Sequence, residues 1–229
     1  MAAKGYISNS VIRRLPRYYR FLGELQKEGV TKISSGELSA RMKLTASQIR
    51  QDLNCFGGFG QQGYGYNVAM LRNEIGLIIG VDRKVKTVII GAGNLGRAIA
   101  AHIDFLKNGL DLIGIFDINV NDGENEISGV PVYHMSKIMS FCEEYKPVVA
   151  VLCIPKESAS RVCETLVSYG VRAFWNFSHF DINLHFEGII VENVHLGDSL
   201  LTLAYNVNDR VHREGEEKNS GELRQHSGS

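Results

Sequence analysis

Near the middle of the chain stands Val85-Lys86-Thr87-Val88-Ile89-Ile90-Gly91-Ala92-Gly93-Asn94-Leu95-Gly96, an apolar segment that runs directly into three glycines. Val88 to Ile90 have the composition of a buried parallel strand. In this pattern Gly91 provides a tight turn, Gly93 lets the backbone approach a pyrophosphate, and Gly96 lets the next helix pack on the strand. The N–H groups at the start of that helix bind phosphate oxygens. The stretch therefore predicts a dinucleotide site formed by Gly91, Ala92, Gly93, Asn94, Leu95 and Gly96.

A second apolar segment ends in a carboxylate at the spacing that such a site requires. Leu112 to Phe116 have the pattern of a strand, and Asp117 lies 117 − 96 = 21 residues beyond the last glycine. A carboxylate at this place accepts hydrogen bonds from the ribose hydroxyls of adenosine and repels a 2′-phosphate. The predicted cofactor is therefore NAD(H) rather than NADP(H). The alternative is a similar fold that holds another nucleotide or none.

The segment from 81 to 208 alternates strands with helices. Short apolar runs predict five strands, and helical periodicity fills three of the gaps between them. The predicted strands are about 87–90, 112–116, 148–153, 171–175 and 188–191, and the predicted helices lie near 94–107, 135–145 and 156–169. This alternation predicts an α/β domain of the Rossmann type with a doubly wound parallel sheet.

The carboxyl-terminal part of the chain is predicted to be one helix followed by a polar tail. The helix presents a single apolar stripe formed by Leu196, Leu200, Leu203, Ala204 and Val207. Residues 209–229 are polar and contain Gly and Ser, so they are expected to be disordered. No length remains for a substrate domain with an acid and a base, so we do not expect an enzyme. An NAD-dependent oxidoreductase is kept as an alternative.

Residues 1–80 are predicted to form a separate, helical head. Residues 9–28 carry apolar side chains at helical spacing, with an interruption or restart at Pro16. Ser34 to Glu37 form a capping box that opens a helix through Met42, and Thr45 to Gln48 form a second box that opens a helix through about Cys55. The turn Lys43-Leu44 between them gives a helix-turn-helix. Ile49 and Leu53 are spaced for burial, which directs Ser47, Gln48, Arg50, Gln51 and Asn54 toward solvent or DNA. Of these, Ser47, Gln48, Arg50 and Gln51 are predicted to bind DNA.

Glycines next to aromatic residues follow the second short helix. Gly57, Gly58, Gly60, Gly63 and Gly65 alternate with Phe59, Tyr64 and Tyr66, which favours a hairpin wing and makes the head a winged helix. Arginines crowd the polar faces of the first helix, and we expect Arg13, Arg14 and Arg17 to contact DNA. The alternative is a small helical domain whose arginines are only solvated.

The charge of the chain is divided between its two halves. Residues 1–80 carry 11 Lys and Arg against 5 Asp and Glu, whereas the remainder carries 14 against 20, so a net charge of zero conceals +6 and −6. A basic head on an acidic body is typical of nucleic-acid binding. No signal sequence or membrane span is evident, so we expect a cytoplasmic protein. The four cysteines lack metal-ligand spacing, which predicts free thiols and no metal site.

Taken together, these motifs closely resemble the redox-sensing transcriptional repressor Rex family, over about residues 8–208. The resemblance is carried by Arg13-Arg14-Leu15-Pro16-Arg17-Tyr18-Tyr19-Arg20, Ile33-Ser34-Ser35-Gly36-Glu37-Leu38, Ser47-Gln48-Ile49-Arg50-Gln51-Asp52-Leu53, Phe56-Gly57-Gly58-Phe59-Gly60, Gly65-Tyr66-Asn67-Val68 and the glycine fingerprint. It implies a homodimer that exchanges its terminal helices and releases a palindromic operator when NADH replaces NAD⁺. It also implies that Arg50 lies near DNA and that Ile154 and Pro155 border the nicotinamide.

The chain departs from the family pattern at positions that bear on its function. The family usually has a basic residue where this chain has Gln51, and a Lys-Arg pair where it has Gln61-Gln62. A Tyr and a partner-subunit Asp, which the resemblance implies are bonded in the NADH state, are replaced by His102 and His195. Two imidazoles can bond only when one donates and the other accepts. The alternatives are therefore a Rex-like regulator with an altered or lost NADH response, or histidines that are merely surface residues.

Overall fold

The structure is a computed structural model that describes residues 7–55, 65–120 and 126–226, with side chains as far as Arg213. The chain divides into two compact units. The first contains the described residues up to Lys84 together with Asp104–Asp111, and the second contains Val85–Ile103 and the described residues from Leu112 onward. The division along the chain therefore falls at Lys84 instead of the expected Gly80, and a short segment that was assigned to the second domain belongs to the first.

The first unit consists of four helices and a two-stranded sheet. The helices are α1 (Asn9–Lys27), α2 (Ser35–Met42), α3 (Ala46–Asn54) and α4 (Val68–Ile79). Strand β1 (Lys32–Ile33) pairs antiparallel with β2 (Tyr66–Asn67). The apolar faces of the helices meet in one core, whose fully buried members include Leu15, Tyr18, Leu22, Leu38, Ile49, Leu71 and Ile75. The helical periodicity of the sequence thus corresponds to the buried face of each helix.

Helix α1 continues through Pro16 without the predicted interruption. Proline has no N–H to donate to the carbonyl of Ile12, four residues earlier. Both Ile12 and Pro16 are exposed, so that carbonyl can bond to water. Burial of Val11 and Leu15 on one side and of Tyr18 on the next turn then holds the two halves of the helix in line.

The helix-turn-helix forms as the sequence predicts. The Ser34 hydroxyl accepts a hydrogen bond from Glu37 N at 3.1 Å, and the Glu37 carboxylate accepts one from Ser34 N at 2.8 Å, which completes the capping box of α2. Lys43 ends that helix in the left-handed conformation, with φ 52°. Thr45 caps α3 by accepting from Gln48 N at 3.1 Å. The second box is only half formed, because the Gln48 amide donates to Asp52 instead.

The predicted wing, the hairpin of glycines and aromatic residues, lies mostly in 56–64, outside the described residues. Its base is described, since Ile33 of β1 is paired with Tyr66 of β2. Gly65, which enters this pair, has φ +70°, and a side chain there would come within 2.8 Å of the Ile33 carbonyl oxygen. The two strands of this small sheet lie before and after the helix-turn-helix in the chain, as expected for a winged helix.

The second unit is a seven-stranded sheet with helices α5 (Asn94–His102), α6 (Ile138–Tyr145), α7 (Lys156–Ser168) and α8 (Leu196–His226). Its strand order is β5-β6-β4-β3-β7-β8-β9. These strands are β3 (Val85–Ile90), β4 (Leu110–Asp117), β5 (Glu126–Ile127), β6 (Val130–His134), β7 (Val149–Leu152), β8 (Ala173–Asn176) and β9 (Ile190–Asn193). The order runs outward in both directions from β3, which confirms the doubly wound fold. Strands β5 and β6 were not predicted, because β5 has only two residues and β6 is short and contains Pro131, which disfavours a strand.

Helix α5 ends earlier than the sequence predicts. Its last residue is His102, and Ile103 is extended with φ −92° and ψ 120°. Asp104 then caps a turn of 3-10 helix over Leu106–Asn108 by accepting from Lys107 N at 3.0 Å. The periodicity of the sequence therefore predicted one helix where the structure has two separate helical segments.

Helix α8 extends to His226, whereas a disordered tail was expected from Asp209 onward. Asp209 pairs with Arg213 at 3.1 Å, one turn later, which is a favourable spacing for opposite charges on a helix. The apolar residues of this helix as far as Arg213 are exposed in the single chain. They include Leu196, Leu200, Leu201, Leu203, Tyr205, Val207 and Val211.

Candidate nucleotide and DNA sites

The second unit contains a cavity of about 280 Å³ at the carboxyl ends of its central strands. It lies where the strand order reverses, which is the ligand position expected for an open α/β sheet. Of the predicted cofactor residues, five line this cavity: Gly91, Gly93, Asp117, Ile154 and Pro155. The other four predicted residues do not line the cavity. They form the glycine loop and the first turn of α5, and they are Ala92, Asn94, Leu95 and Gly96.

The three glycines of the fingerprint differ in what a side chain at each position would meet. Gly91 has φ +100°, and a Cβ there would collide with the Cys153 carbonyl oxygen. A Cβ on Gly96 would collide with the Gly91 carbonyl oxygen, so α5 can approach β3 only because Gly96 has no side chain. A Cβ on Gly93 would meet no atom within 4 Å, which leaves the loop open on that side. The loop can therefore bring its N–H groups to a phosphate.

Asp117 is fixed at the end of β4 by two backbone N–H groups. Its Oδ2 accepts from Ala92 N at 2.6 Å, and its Oδ1 accepts from Asn119 N at 2.9 Å. These bonds link the carboxylate to the glycine loop and orient it at the cavity. A carboxylate has further lone pairs, so the same oxygens can accept from ribose hydroxyls.

Several residues of this site were missed from the sequence. Arg97, the residue after the last fingerprint glycine, donates from Nε to the Ala92 carbonyl oxygen at 2.8 Å and so braces the loop. Cys153 lines the cavity, and burial raises the pKa of its thiol to about 12, which keeps it protonated and unreactive. Its position directly after β7 was a usable signal, because ligands bind at strand ends. The remaining lining is Ile90, Phe116, Ile118, Asn119, Met135, Ser158 and Val162.

In the first unit, Arg14 forms an ion pair with a buried carboxylate. Its Nε and Nη2 donate to Asp52 at 2.6 and 2.7 Å, and Asp52 is fully buried. Tyr18 Oη and Gln48 Nε2 donate to the same carboxylate at 2.9 and 2.8 Å. Burial alone would raise the pKa of Asp52, but the hydrogen bonds from Arg14, Gln48 and Tyr18 outweigh it and lower that pKa. Arg14 thus joins α1 to α3. Its contact with DNA stays a prediction.

The other predicted DNA residues lie at the surface of the first unit. Arg13 is exposed, and Arg17 donates to the Met42 carbonyl oxygen at the end of α2. Arg50 is exposed and donates from Nη1 to Ser35 Oγ at 3.1 Å. Ser47 and Gln51 are exposed on α3, and neither side chain has a hydrogen-bond partner among the described residues. The outward face of α3 therefore carries hydroxyl, amide and guanidinium groups.

The two predicted switch residues belong to the second unit. His102 is exposed at the end of α5, and His195 immediately precedes α8. The ring of His195 contacts that of His179 edge to face, with centroids 4.8 Å apart, and its Nδ1 lies 3.8 Å from Asp198 Oδ2. His179 has φ 58°, an uncommon conformation for a residue with a side chain. The approach of His102 to His195 between two subunits stays a prediction.

In the described residues, no cluster of three or more His, Cys, Asp or Glu side chains is suited to hold a metal. Nor do 7–55, 65–120 and 126–226 include a helix with the length and hydropathy to cross a membrane. All four cysteines are free, with Cys142 and Cys163 buried and Cys55 exposed.

Two families of known proteins match the two parts of the chain. Residues 6–54 match a family described as "Putative DNA-binding protein N-terminus", and residues 82–180 match one described as "CoA binding domain". The second match covers the glycine loop, Asp117, Ile154 and Pro155. The two matches therefore fall on the two candidate sites.

Individual relatives match almost the whole chain. The redox-sensing transcriptional repressor Rex of Caldanaerobacter subterraneus subsp. tengcongensis is 51% identical over 209 residues, 91% of this chain and 93% of the relative. That of Clostridium novyi is 50% identical over 91% of this chain and 99% of its own length.

Solved structures of RSP, a Rex-family repressor, share this fold. RSP in complex with β-NAD⁺ and operator DNA superposes with a TM-score of 0.84 at 48% identity, covering 93% of this chain and 98% of RSP. RSP in complex with β-NADH superposes with a TM-score of 0.82 at 46% identity, covering 92% of this chain and 99% of RSP. The protein described here belongs to the Rex family of redox-sensing transcriptional repressors.

Proposed function

We propose that this protein is a DNA-binding transcriptional repressor that binds NAD(H) and senses the NADH/NAD⁺ ratio. The observation that carries the proposal is the combination, in one chain of the Rex family, of a helix-turn-helix with a glycine-loop cavity that includes Asp117. A relative with the same fold binds NAD⁺ together with operator DNA, and it also binds NADH. The cofactor thus acts as a signal, and DNA is the regulated partner.

The cofactor residues are assigned from the geometry of the loop and cavity. Gly91 to Gly96 hold the pyrophosphate at the start of α5, and Asp117 receives the ribose hydroxyls. Ile154 and Pro155 provide an apolar border for the nicotinamide. Among the described residues that line the cavity, Asp117 and Cys153 are the ionisable ones, and the first is committed to the loop. This favours binding over hydride-transfer chemistry, in agreement with relatives named as repressors.

The protein functions as a homodimer that binds a palindromic operator. Support comes from α8, where six apolar side chains between Leu196 and Val207 are 51% to 70% exposed in the single chain. A helix with such a stripe needs an apolar partner, and exchange of α8 between two subunits supplies one. Each α3 then enters a major groove of one half-site. Because its partner is chromosomal DNA, we assign the protein to the cytoplasm.

A second candidate function is a Rex-like DNA-binding regulator with an altered or lost NADH response and a different signal. It is favoured by one observation, the packing of His195 against His179 and close to Asp198. An imidazole held this way has fewer orientations available for bonding to His102 of another subunit. The coupling between cofactor binding and DNA binding is then weaker than it would be if a carboxylate at position 195 accepted the bond from the other subunit.

Titration of the operator complex separates the two candidates. Fluorescence anisotropy of the full chain on operator DNA, at fixed NAD⁺ with increasing NADH, is expected to show release as NADH replaces NAD⁺. Calorimetry must show binding of both cofactors, and sedimentation must show a dimer. Binding of both cofactors without release would favour the second candidate, whereas failure to bind NAD(H) would exclude the first.

A further inference from the structure

We propose that Gln51 reads an adenine in each operator half-site, so that this position of the operator is an A·T base pair. The assignment rests on the proposed function and adds the base preference of the DNA site. It is drawn from the position of Gln51 on α3, from the occupation of neighbouring side chains, and from the hydrogen-bonding groups of an amide.

Gln51 lies at the centre of the outward face of α3. The inward face is formed by Ile49, Asp52 and Leu53, all of which are buried. Successive residues turn by about 100° around a helix, so the opposite side is occupied by Gln51 and by Ser47 one turn earlier. Both are exposed. When α3 enters a major groove, these two side chains point most directly at the base edges.

The polar side chains on either side of Gln51 on the helix surface, Gln48 and Arg50, form hydrogen bonds within the protein. Gln48 donates its amide N–H to Asp52 at 2.8 Å, and Asp52 is itself anchored by Arg14. Arg50 donates to Ser35 of α2 at 3.1 Å. The side-chain amide of Gln51 has no hydrogen-bond partner among the described residues, and its backbone carbonyl accepts from the Cys55 thiol at 3.3 Å. Gln51 therefore has a complete amide available for a base.

An amide matches adenine better than the other bases. Adenine presents N7 as an acceptor and the N6 amino group as a donor in the major groove, and a glutamine amide pairs with both. Guanine presents two acceptors, N7 and O6, so the amide oxygen would face an acceptor. Ser47 cannot supply this discrimination, because a hydroxyl donates or accepts and tolerates any base. Adenine is thus the base that Gln51 selects.

The test is binding-site selection from a random duplex library with the full-length protein and NAD⁺, followed by anisotropy on single-base variants. We expect one adenine per half-site whose replacement by guanine weakens wild-type binding roughly 10- to 100-fold. Gln51→Ala is expected to lose that preference to within about twofold, and Gln51→Lys to prefer guanine there. Replacing the adenine by 7-deazaadenine, which lacks the N7 acceptor, should weaken the wild type but not Gln51→Ala.

Asn54→Ala is the matched control, because Asn54 is an exposed amide at the far end of the same helix. It should keep the adenine preference, because Asn54 is the last residue of α3 and lies almost one turn beyond Gln51, farther from the part of the helix that enters the groove. Specific binding with the same preference in Gln51→Ala and in the wild type would overturn the adenine assignment alone. Absence of any sequence-specific binding by the wild type would overturn the proposed function as well.

Discussion

Arg14 and Asp52 form a two-pronged ion pair that joins α1 to the recognition helix α3, with N···O distances of 2.6 and 2.7 Å. Asp52 is fully buried and accepts four hydrogen bonds, two from Arg14 and one each from Tyr18 and Gln48. The pair therefore fixes how α3 lies on the rest of the head. An arginine that the sequence predicted to contact DNA also orients the helix that is predicted to enter the major groove.

Asp52→Asn is expected to destabilise the head, because it leaves the Arg14 charge without its partner. Breaking a buried pair costs about 3–5 kcal/mol. Arg14 is 26% exposed, so the lower end of that range is expected for the free energy of unfolding. Urea unfolding followed by circular dichroism gives this change in the free energy of unfolding. Glu28→Gln, which breaks the exposed pair with Arg41, is the control and should change it by less than about 1 kcal/mol. Equal effects of the two changes would contradict a structural role for Asp52.

The stabilisation from Asp52 should depend on pH in the acid range. The pKa of Asp52 in the folded protein lies below its ordinary value, because its hydrogen bonds favour the carboxylate. Such a group contributes its full stabilisation above the unfolded pKa, about 4, and loses it as pH falls through the folded pKa. The difference in unfolding free energy between wild type and Asp52→Asn should therefore be constant near neutrality and shrink below about pH 4. A difference that grows on acidification would contradict this sign.

Arg13 and Arg50 should contribute to DNA binding in different ways. Arg13→Ala is expected to weaken binding to all DNA and to reduce the salt dependence, since Arg13 is an exposed cation on α1 and is predicted to contact phosphates. Arg50→Ala should weaken operator binding more than binding to bulk DNA, by about 1–3 kcal/mol, because the guanidinium N–H groups of Arg50 that do not bond Ser35 are predicted to contact a base edge. Fluorescence anisotropy on operator and on random DNA at several salt concentrations measures the affinity of each variant for the two DNAs and its salt dependence. Unchanged operator affinity in Arg50→Ala would remove Arg50 from the interface.

The sequence predicted those features that depend on local chemistry. The glycine loop, Asp117, the capping box of α2 and the helix-turn-helix follow from short-range rules, and the structure contains each of them. The partners of Arg14 and of His195 were not predictable, because Asp52 and His179 lie distant in the sequence and meet them only through tertiary packing. The length of α8 was underestimated because polar composition does not exclude a helix.

Asp117→Ala should narrow the preference for NAD(H) over NADP(H). The carboxylate opposes a 2′-phosphate, so its removal eliminates the repulsion as well as the bonds to the ribose. It also frees Ala92 N, which Asp117 now holds at 2.6 Å, so NADH affinity should fall. Calorimetry with NADH and NADPH on both proteins gives the ratio. Equal or tighter binding of NADPH by the wild type would show that Asp117 does not face the ribose.

The double change His102→Tyr and His195→Asp should strengthen DNA release by NADH. A tyrosine hydroxyl donates to a charged carboxylate, which holds a closed dimer more firmly than two imidazoles can. In the wild type, the edge-to-face contact with His179 further restricts His195. The NADH concentration that releases half of the operator is therefore expected to fall in the double variant. His179→Ala, which frees the His195 ring without adding a carboxylate, is the control and should give a smaller shift. Equal NADH responses in the wild type and the double variant would show that the switch does not depend on these two positions.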